Sequence, residues 1–331
     1  MSFNRSLWGR LGACAEVAGV FFAGGLVGSM LLGLAGITSH PLAPLMGENP
    51  DMVAIAGNLA KVLMLQYAAW VALAIVFLLI RKQQPLSRLG FSLNGYTVGA
   101  LVLLGIGAWA LGDLGNRLLW ILDAEFNLGT SVPWREALLS ADRTAGWWLV
   151  MAVGSFGLVP LVEELFWRGY VQSRMTDSFS PAVAILITAA MFTFSHTQYH
   201  QADLFHGATL LALFTSSLIM GWLFHKTGSL IPSIVMHATL NFPLDGVAAY
   251  IALALMLVII AVRWPLYAKA FTAVLNTIRG ARWGLTEGVA LVFLVALMLG
   301  LSQAPQIIQI LGLACLPAGL AVAMLVRRRD A

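Results

Sequence analysis

Charged residues are scarce in this sequence. Lys, Arg, Asp and Glu make up 10% of the 331 residues, whereas 60% are hydrophobic and the mean hydropathy is +0.85. Because a soluble domain has about 25% charged residues, a soluble globular protein is excluded. Glycine follows no regular period, and the two cysteines are too few for a disulfide scaffold. The composition instead indicates a polytopic membrane protein.

The net charge of +4 does not indicate a nucleic-acid-binding protein. The basic residues lie in short segments between apolar runs, where they act as topology signals rather than as a continuous binding face. Cys14 and Cys315 lie in apolar runs at opposite ends of the chain, so we expect two free thiols inside the membrane. We therefore expect the lipid bilayer as a partner and no nucleic acid.

The apolar residues fall into ten runs without the alternation of β-barrel strands, so we interpret them as transmembrane helices. Basic residues follow every second run, which is typical of cytoplasmic loops. The sequence thus predicts an all-α, polytopic transmembrane helix bundle of about ten spans (eight to ten), with both termini cytoplasmic. The compact loops and the lack of a cleavable signal favour a bacterial inner (plasma) membrane. The runs cover residues 11–37, 53–80, 96–122, 146–172, 181–196, 207–225, 230–242, 246–263, 285–302 and 307–326.

The densest group of ionisable residues inside these runs is the segment 161–169, LVEELFWRG. Such a side chain near the middle of the membrane costs about 2.5–3.5 kcal/mol on insertion scales, which makes it a candidate for function. Glu164 and Arg168 are four residues apart and face each other on a helix. Glu163 points about 100° away and has no local partner, so it is a candidate general base. The alternative is a helix end that extends its charges to the interface.

A second polar position is His196, four residues after Phe192. The turn 177–181 separates this run from the preceding one, and Glu163 and His196 each lie about 16 residues from its centre. Equal offsets bring two side chains to one level of an antiparallel hairpin, so we expect Glu163 and His196 to meet. The alternative is a histidine that is hydrogen-bonded between helices without a catalytic role.

A third pair, His237 and Asn241, is again four residues apart and lies on one helix face. Two neutral donors aimed into a dry cavity are what an oxyanion hole requires. Interhelical hydrogen bonding, worth about 0.6 kcal/mol per contact in membranes, is the structural alternative.

Other intramembrane protease motifs are incomplete. His196, His200 and His206 form a histidine-rich stretch, but the HExxH motif of zinc proteases is missing. The segment 111–113 lacks the preceding glycine of the GxGD motif, and the segment 154–157 does not match the rhomboid serine motif. We therefore predict neither a metal site nor a cofactor.

The order EExxxR, FxxxH and HxxxN resembles the CPBP family, the CAAX-type and bacteriocin-processing membrane proteases that are also called the ABI family. The resemblance covers residues 140–245, about a third of the chain. It implies that Glu163 activates a water molecule, that His196 helps to position this water, and that His237 and Asn241 form the oxyanion hole. It further implies that Glu164 and Arg168, together with Phe192, support the site.

The resemblance implies an intramembrane endopeptidase that hydrolyses a peptide bond of a membrane-associated protein or peptide without a metal. We divide the chain into N-terminal transmembrane helices (1–139), a CPBP-like catalytic core (140–250) and C-terminal transmembrane helices (251–331). A non-catalytic membrane scaffold or bacteriocin-immunity protein of the same fold is the competing interpretation. A transporter would show repeat symmetry, which the sequence lacks.

Overall fold

The computed structural model describes residues 6–37, 41–47, 50–128, 137–138, 140–244, 246–281 and 283–329. Within these ranges the chain forms helices and connecting segments without any strand, which confirms the all-α prediction. Short helical turns occupy Ala43–Met46, Pro85–Arg88 and Thr197–Tyr199. The longer helices are α1 Leu7–Leu34, α2 Met52–Ile80, α3 Val98–Gly112, α4 Leu114–Phe126, α5 Ala145–Ser178, α6 Pro181–Phe194, α7 Leu204–Thr227, α8 Ile231–Leu240, α9 Gly246–Val262, α10 Trp264–Arg279, α11 Leu285–Gln303 and α12 Pro305–Arg329.

Six helices in the described part of the chain are long and apolar enough to cross a membrane, namely α1, α2, α5, α7, α11 and α12. The count rises to eight if the bent pairs α3–α4 and α9–α10 each form one span. The two remaining predicted spans correspond to α6 and α8, which have 14 and 10 residues. At 1.5 Å per residue both are shorter than the roughly 30 Å hydrocarbon core. The chain is an integral membrane protein with six to eight candidate spans in its described part. That both termini lie in the cytoplasm stays a prediction.

Polar side chains fix where several helices begin. Asp51 accepts from the backbone N–H groups of the first turn of α2, and Thr97 and Thr144 do the same for α3 and α5. Such N-caps satisfy donors that have no partner within the helix. Helix α7 ends at Gly228, whose φ of 64° is readily adopted only by glycine.

Glycines allow the first and last helices to pack closely. A Cβ atom at Gly12 would lie 2.5 Å from the Val322 side chain on α12, and one at Gly19 would lie 2.6 Å from the Cα of Leu316. Small residues permit this approach of two backbones inside a membrane. The first and last long helices, α1 and α12, are therefore in direct contact although they are far apart in the sequence.

A buried carboxylate joins α1 and α2 to the helix that carries the acidic motif. Glu16 on α1 accepts hydrogen bonds from Arg174 (2.7 Å) and Tyr170 (3.1 Å), both on α5. Arg81, directly after α2, approaches the same carboxylate at 3.4 Å. Because a buried charge is stable only when paired, these contacts hold the end of α5 in one position.

Helix α5 is irregular where it carries the motif residues. Two π-helical stretches, Gly154–Leu158 and Leu165–Gln172, flank the regular turns between them. The N–H of Val159 bonds to the carbonyl of Gly154, and the next residue, Pro160, has no N–H to donate. The carbonyl of Ser155 is therefore left without a partner inside the helix and is available to another element.

Candidate active site

Glu164 and Arg168 form a fully buried ion pair on α5, with 2.9 Å between Oε1 and Nη1. The second guanidinium nitrogen of Arg168 donates to the hydroxyl of Ser217 on α7 at 2.7 Å. The face of the guanidinium lies over the ring of Phe192, 4.8 Å from its centroid. These contacts satisfy most of the charge and lock α5 against α6 and α7, because a buried charge without partners would be costly.

Glu163, the neighbouring residue, faces a different side of α5. The phenol of Tyr67 on α2 donates a 2.6 Å hydrogen bond to its Oε1. Oε2 is buried and has no hydrogen-bond partner among the described residues. One oxygen of this carboxylate is thus held in place, and the other is available to a small ligand such as water.

His237 on α8 lies between the two glutamates. Its Nδ1 is 2.8 Å from Oε1 of Glu164, and its Nε2 is 3.9 Å from Oε2 of Glu163. Since Glu164 also accepts from the Arg168 guanidinium, we assign Nδ1 of His237 as the donor of the hydrogen bond to Glu164. The ring nitrogen that faces Glu163 is then an acceptor when the ring is neutral and a donor when it is protonated.

Asn241, directly after α8, is held by the irregular part of α5. Its Nδ2 donates to the carbonyl of Ser155 at 2.8 Å, the same carbonyl that Pro160 leaves without a helical partner. An amide nitrogen carries two hydrogens, so this contact orients the group and leaves its second N–H available.

Phe192 on α6 connects the remaining residues. Its carbonyl accepts from Nδ1 of His196 at 2.7 Å, and its ring packs edge-on against the rings of His196 and His237 at 4.8 and 6.0 Å. Because a carbonyl only accepts, Nδ1 of His196 carries the hydrogen and Nε2 carries the lone pair in the neutral ring. No direct hydrogen bond joins His196 to Glu163 within the described structure.

The seven residues predicted from the sequence lie on α5, α6 and α8 and on the segments that directly follow α6 and α8. Two further contributors were not selected, Tyr67 on α2 and Ser217 on α7. The sequence features that could have indicated them are a tyrosine near the middle of the apolar run 53–80 and a Ser-Ser pair in the run 207–225. Hydroxyl groups inside apolar helices require partners, but they do not reveal which ones.

The described residues contain no group of three His, Cys, Asp or Glu side chains arranged to hold a metal ion. His206, from the histidine-rich stretch, is buried and lies 2.8 Å from Asp203 at the start of α7. His200 instead contacts Ser302 on α11 at 2.9 Å. The metal-free mechanism stays a prediction.

The site presents a carboxylate oxygen, a histidine nitrogen and an amide N–H in one region between α2, α5, α6 and α8. A carboxylate can accept a proton from water, and N–H donors can stabilise the oxyanion of an acyl-transfer intermediate. The arrangement is therefore suited to the hydrolysis of an acyl compound.

A protein family and a known relative are similar to parts of this chain. Residues 145–243 match the model of the family described as type II CAAX prenyl endopeptidase Rce1-like. The UPF0177 protein YxdF of Lactococcus lactis subsp. lactis (strain IL1403) is 26% identical over 164 residues, which cover 43% of this chain and 87% of that protein. No solved structure matches the chain significantly. The motif resemblance is thus confirmed: the segment that carries the three motifs matches the Rce1-like family, and the chain is similar to a UPF0177 protein.

Proposed function

We propose that the chain is an intramembrane endopeptidase of the CAAX type, which hydrolyses a peptide bond of a membrane-associated protein or peptide. The observation that carries this proposal is the position of Glu163. Its Oε1 is held by Tyr67, while Oε2 is buried without a partner 3.9 Å from a nitrogen of His237. A scaffold does not require an unpartnered carboxylate oxygen beside a histidine nitrogen, because such an oxygen carries a desolvation cost.

In the proposed reaction, Oε2 of Glu163 takes a proton from a water molecule and the resulting hydroxide attacks the scissile carbonyl carbon. His196 positions this water through its Nε2. The carbonyl π-bond opens to an oxyanion, which the second N–H of Asn241 and the Nε2–H of protonated His237 stabilise.

The intermediate then collapses. The carbonyl re-forms, the C–N bond breaks, and Glu163 returns its proton to the leaving amine nitrogen. The products are a carboxylic acid and an amine, and the enzyme is restored. Glu164 and Arg168 touch no reacting atom in this scheme, so we assign them as positioning residues, together with Phe192.

A catalytic site of this kind must exclude lipid and admit water, which explains why polar side chains lie within apolar helices. The proposed location is a bacterial inner membrane, in agreement with the Lactococcus relative. The substrate would reach the site from the bilayer or from its surface.

The deciding experiment compares protein termini in membranes from the native host. Cells express the wild type, Glu163→Gln or Glu125→Gln at matched levels, where Glu125 is an exposed carboxylate on α4 that serves as the control. We expect a set of new termini in the wild type and the Glu125 variant that is lost in Glu163→Gln. Identical termini in all three strains, with correctly inserted protein, would favour the scaffold or immunity function.

A further inference from the structure

Helix α10 (Trp264–Arg279) is amphipathic but has no buried residue. Trp264, Phe271 and Ile278 recur every seven residues and therefore lie on one helix face. Their exposed fractions are 62%, 63% and 53%, so the rest of the described chain leaves these three side chains largely uncovered, although Tyr267 on the same side donates to the carbonyl of Gly107 on α3. An amphipathic helix of a packed protein normally buries its apolar stripe. Another medium must therefore cover this face.

The opposite face of α10 is positively charged. Lys269 and Asn276 lie opposite the apolar face, Thr272 and Arg279 lie at its border, and Arg263 precedes the helix. The side chains of the three cations are exposed and form no salt bridge in the described part of the chain. The sequence contains no Asp or Glu between positions 263 and 284. A cationic strip without acidic neighbours is complementary to an anionic surface.

The path of the chain places α10 at a membrane surface. Helix α9 has 17 residues, or about 26 Å, which nearly spans the hydrocarbon core without any contribution from α10. The axis then turns by 81° between α9 and α10. The following span, α11, begins beside the start of α1, where Glu287 pairs with Arg10 at 2.5 Å. Helix α10 thus crosses one face of the bundle, nearly perpendicular to α9.

We infer that α10 is an interfacial helix that binds the anionic headgroups of the leaflet next to the basic loops. Its apolar face, including Trp264 and Phe271, inserts into the acyl boundary, while Lys269 and Arg279 contact lipid phosphates. Aromatic residues on the apolar face and cations on the polar face characterise helices that lie in the membrane plane. This inference is independent of the proposed proteolysis.

The first test measures the depth of each face. The full-length protein with Cys14→Ala and Cys315→Ala receives a spin label at Phe271→Cys or at Thr272→Cys and is reconstituted into vesicles. We expect the label at 271 to collide more often with oxygen than with a water-soluble nickel chelate, and the label at 272 to show the reverse. Equal accessibility at both positions, or spin–spin coupling that reveals a second copy on this face, would overturn the inference.

The second test measures lipid preference and does not depend on cysteine removal. The wild type is purified from vesicles that contain equal amounts of phosphatidylcholine and phosphatidylglycerol, and the lipids that remain bound are counted. We expect Lys269→Gln/Arg279→Gln to retain at least two-fold less phosphatidylglycerol than the wild type. The matched control, Lys269→Arg/Arg279→Lys, keeps both charges and should behave as the wild type. Equal retention by the charge-removing variant would show that these cations do not select anionic lipid.

Discussion

Tyr67 and Glu163 are joined by a 2.6 Å hydrogen bond across the interface between α2 and α5. The two carboxylate oxygens therefore differ: Oε1 is held by the phenol, whereas Oε2 has no hydrogen-bond partner in the described structure and is available to a ligand. Tyr67 lies outside the segment 145–243 that matches the family model. The N-terminal helices therefore contribute to the candidate site and do more than anchor it.

Replacing Tyr67 by Phe tests this contribution. The ring packing against Trp70 is retained, but the carboxylate of Glu163 loses its only described donor. A hydrogen bond to a charged group is worth about 1.5–3 kcal/mol, so we expect about a 10-fold to 100-fold lower kcat. The KM for the cleaved peptide should change little, since Tyr67 orients the base rather than the substrate. An unchanged kcat would show that Glu163 is oriented without the phenol.

The structure also shows which features could be predicted from the sequence. The pairing of Glu164 with Arg168 follows from spacing on one helix, and the family follows from three local motifs. Tyr67 lies 96 residues from Glu163, and no periodicity encodes a contact between two helices that are so far apart in the sequence. Equal offsets from a turn do not determine helix rotation, and in the structure His196 is hydrogen-bonded to the carbonyl of Phe192 rather than to Glu163.

The number of spans could be predicted only approximately. Apolar runs reveal where helices occur, but α6 and α8 are short elements within the bundle whose apolar composition equals that of a span. The contact between Asn241 and Ser155 was equally hidden, because it depends on a π-helical turn. The proline at position 160 is the only sequence feature that points to this contact.

Asn241→Ala should strongly reduce catalysis. The variant removes an N–H donor that we assign to the oxyanion, and loss of one such donor costs about 10²–10³ in kcat. Thr239→Ala is the control, because the Thr239 hydroxyl bonds only to the carbonyl of Val235 on the same helix. Pro160→Ala adds an N–H that competes for the Ser155 carbonyl, so it should cause a smaller loss. Peptide cleavage in reconstituted vesicles measures all three, and wild-type activity of Asn241→Ala would remove the residue from the mechanism.

Arg168→Met should destabilise the fold as well as the site. It leaves the fully buried carboxylate of Glu164 without its main partner, and breaking a buried pair on one side costs about 3–5 kcal/mol. The double variant Glu164→Gln/Arg168→Met removes both charges and should recover part of this loss. Thermal unfolding in detergent compares the wild type, Arg168→Met, Glu164→Gln and the double variant. If the double variant is as unstable as the sum of the single ones, the two charges do not interact energetically.

Metal chelators should not affect the activity. No group of three His, Cys, Asp or Glu side chains in the described part of the chain is arranged to hold a metal ion, and Oε1 of Glu164 is already bonded to Arg168 and His237. Cleavage is measured before and after dialysis against EDTA, and again after the addition of zinc. Activity that is lost on dialysis and restored by zinc would contradict the glutamate mechanism.

Gly19→Leu should loosen the packing between the first and last helices. A side chain at this position clashes with the backbone of Leu316. Backbone atoms cannot move aside as the end of a flexible side chain can. Overpacking typically costs about 1–3 kcal/mol, and a clash with backbone belongs at the upper end of that range. Gly25→Leu on the same helix is the control, because a Cβ there has no neighbour within 4 Å. We expect the unfolding midpoint in detergent to fall for Gly19→Leu and to stay near the wild-type value for Gly25→Leu. Equal midpoints for the two variants would mean that α1 and α12 separate at little cost, and that the contacts of α1 with α2 and α5 are sufficient to hold it in place.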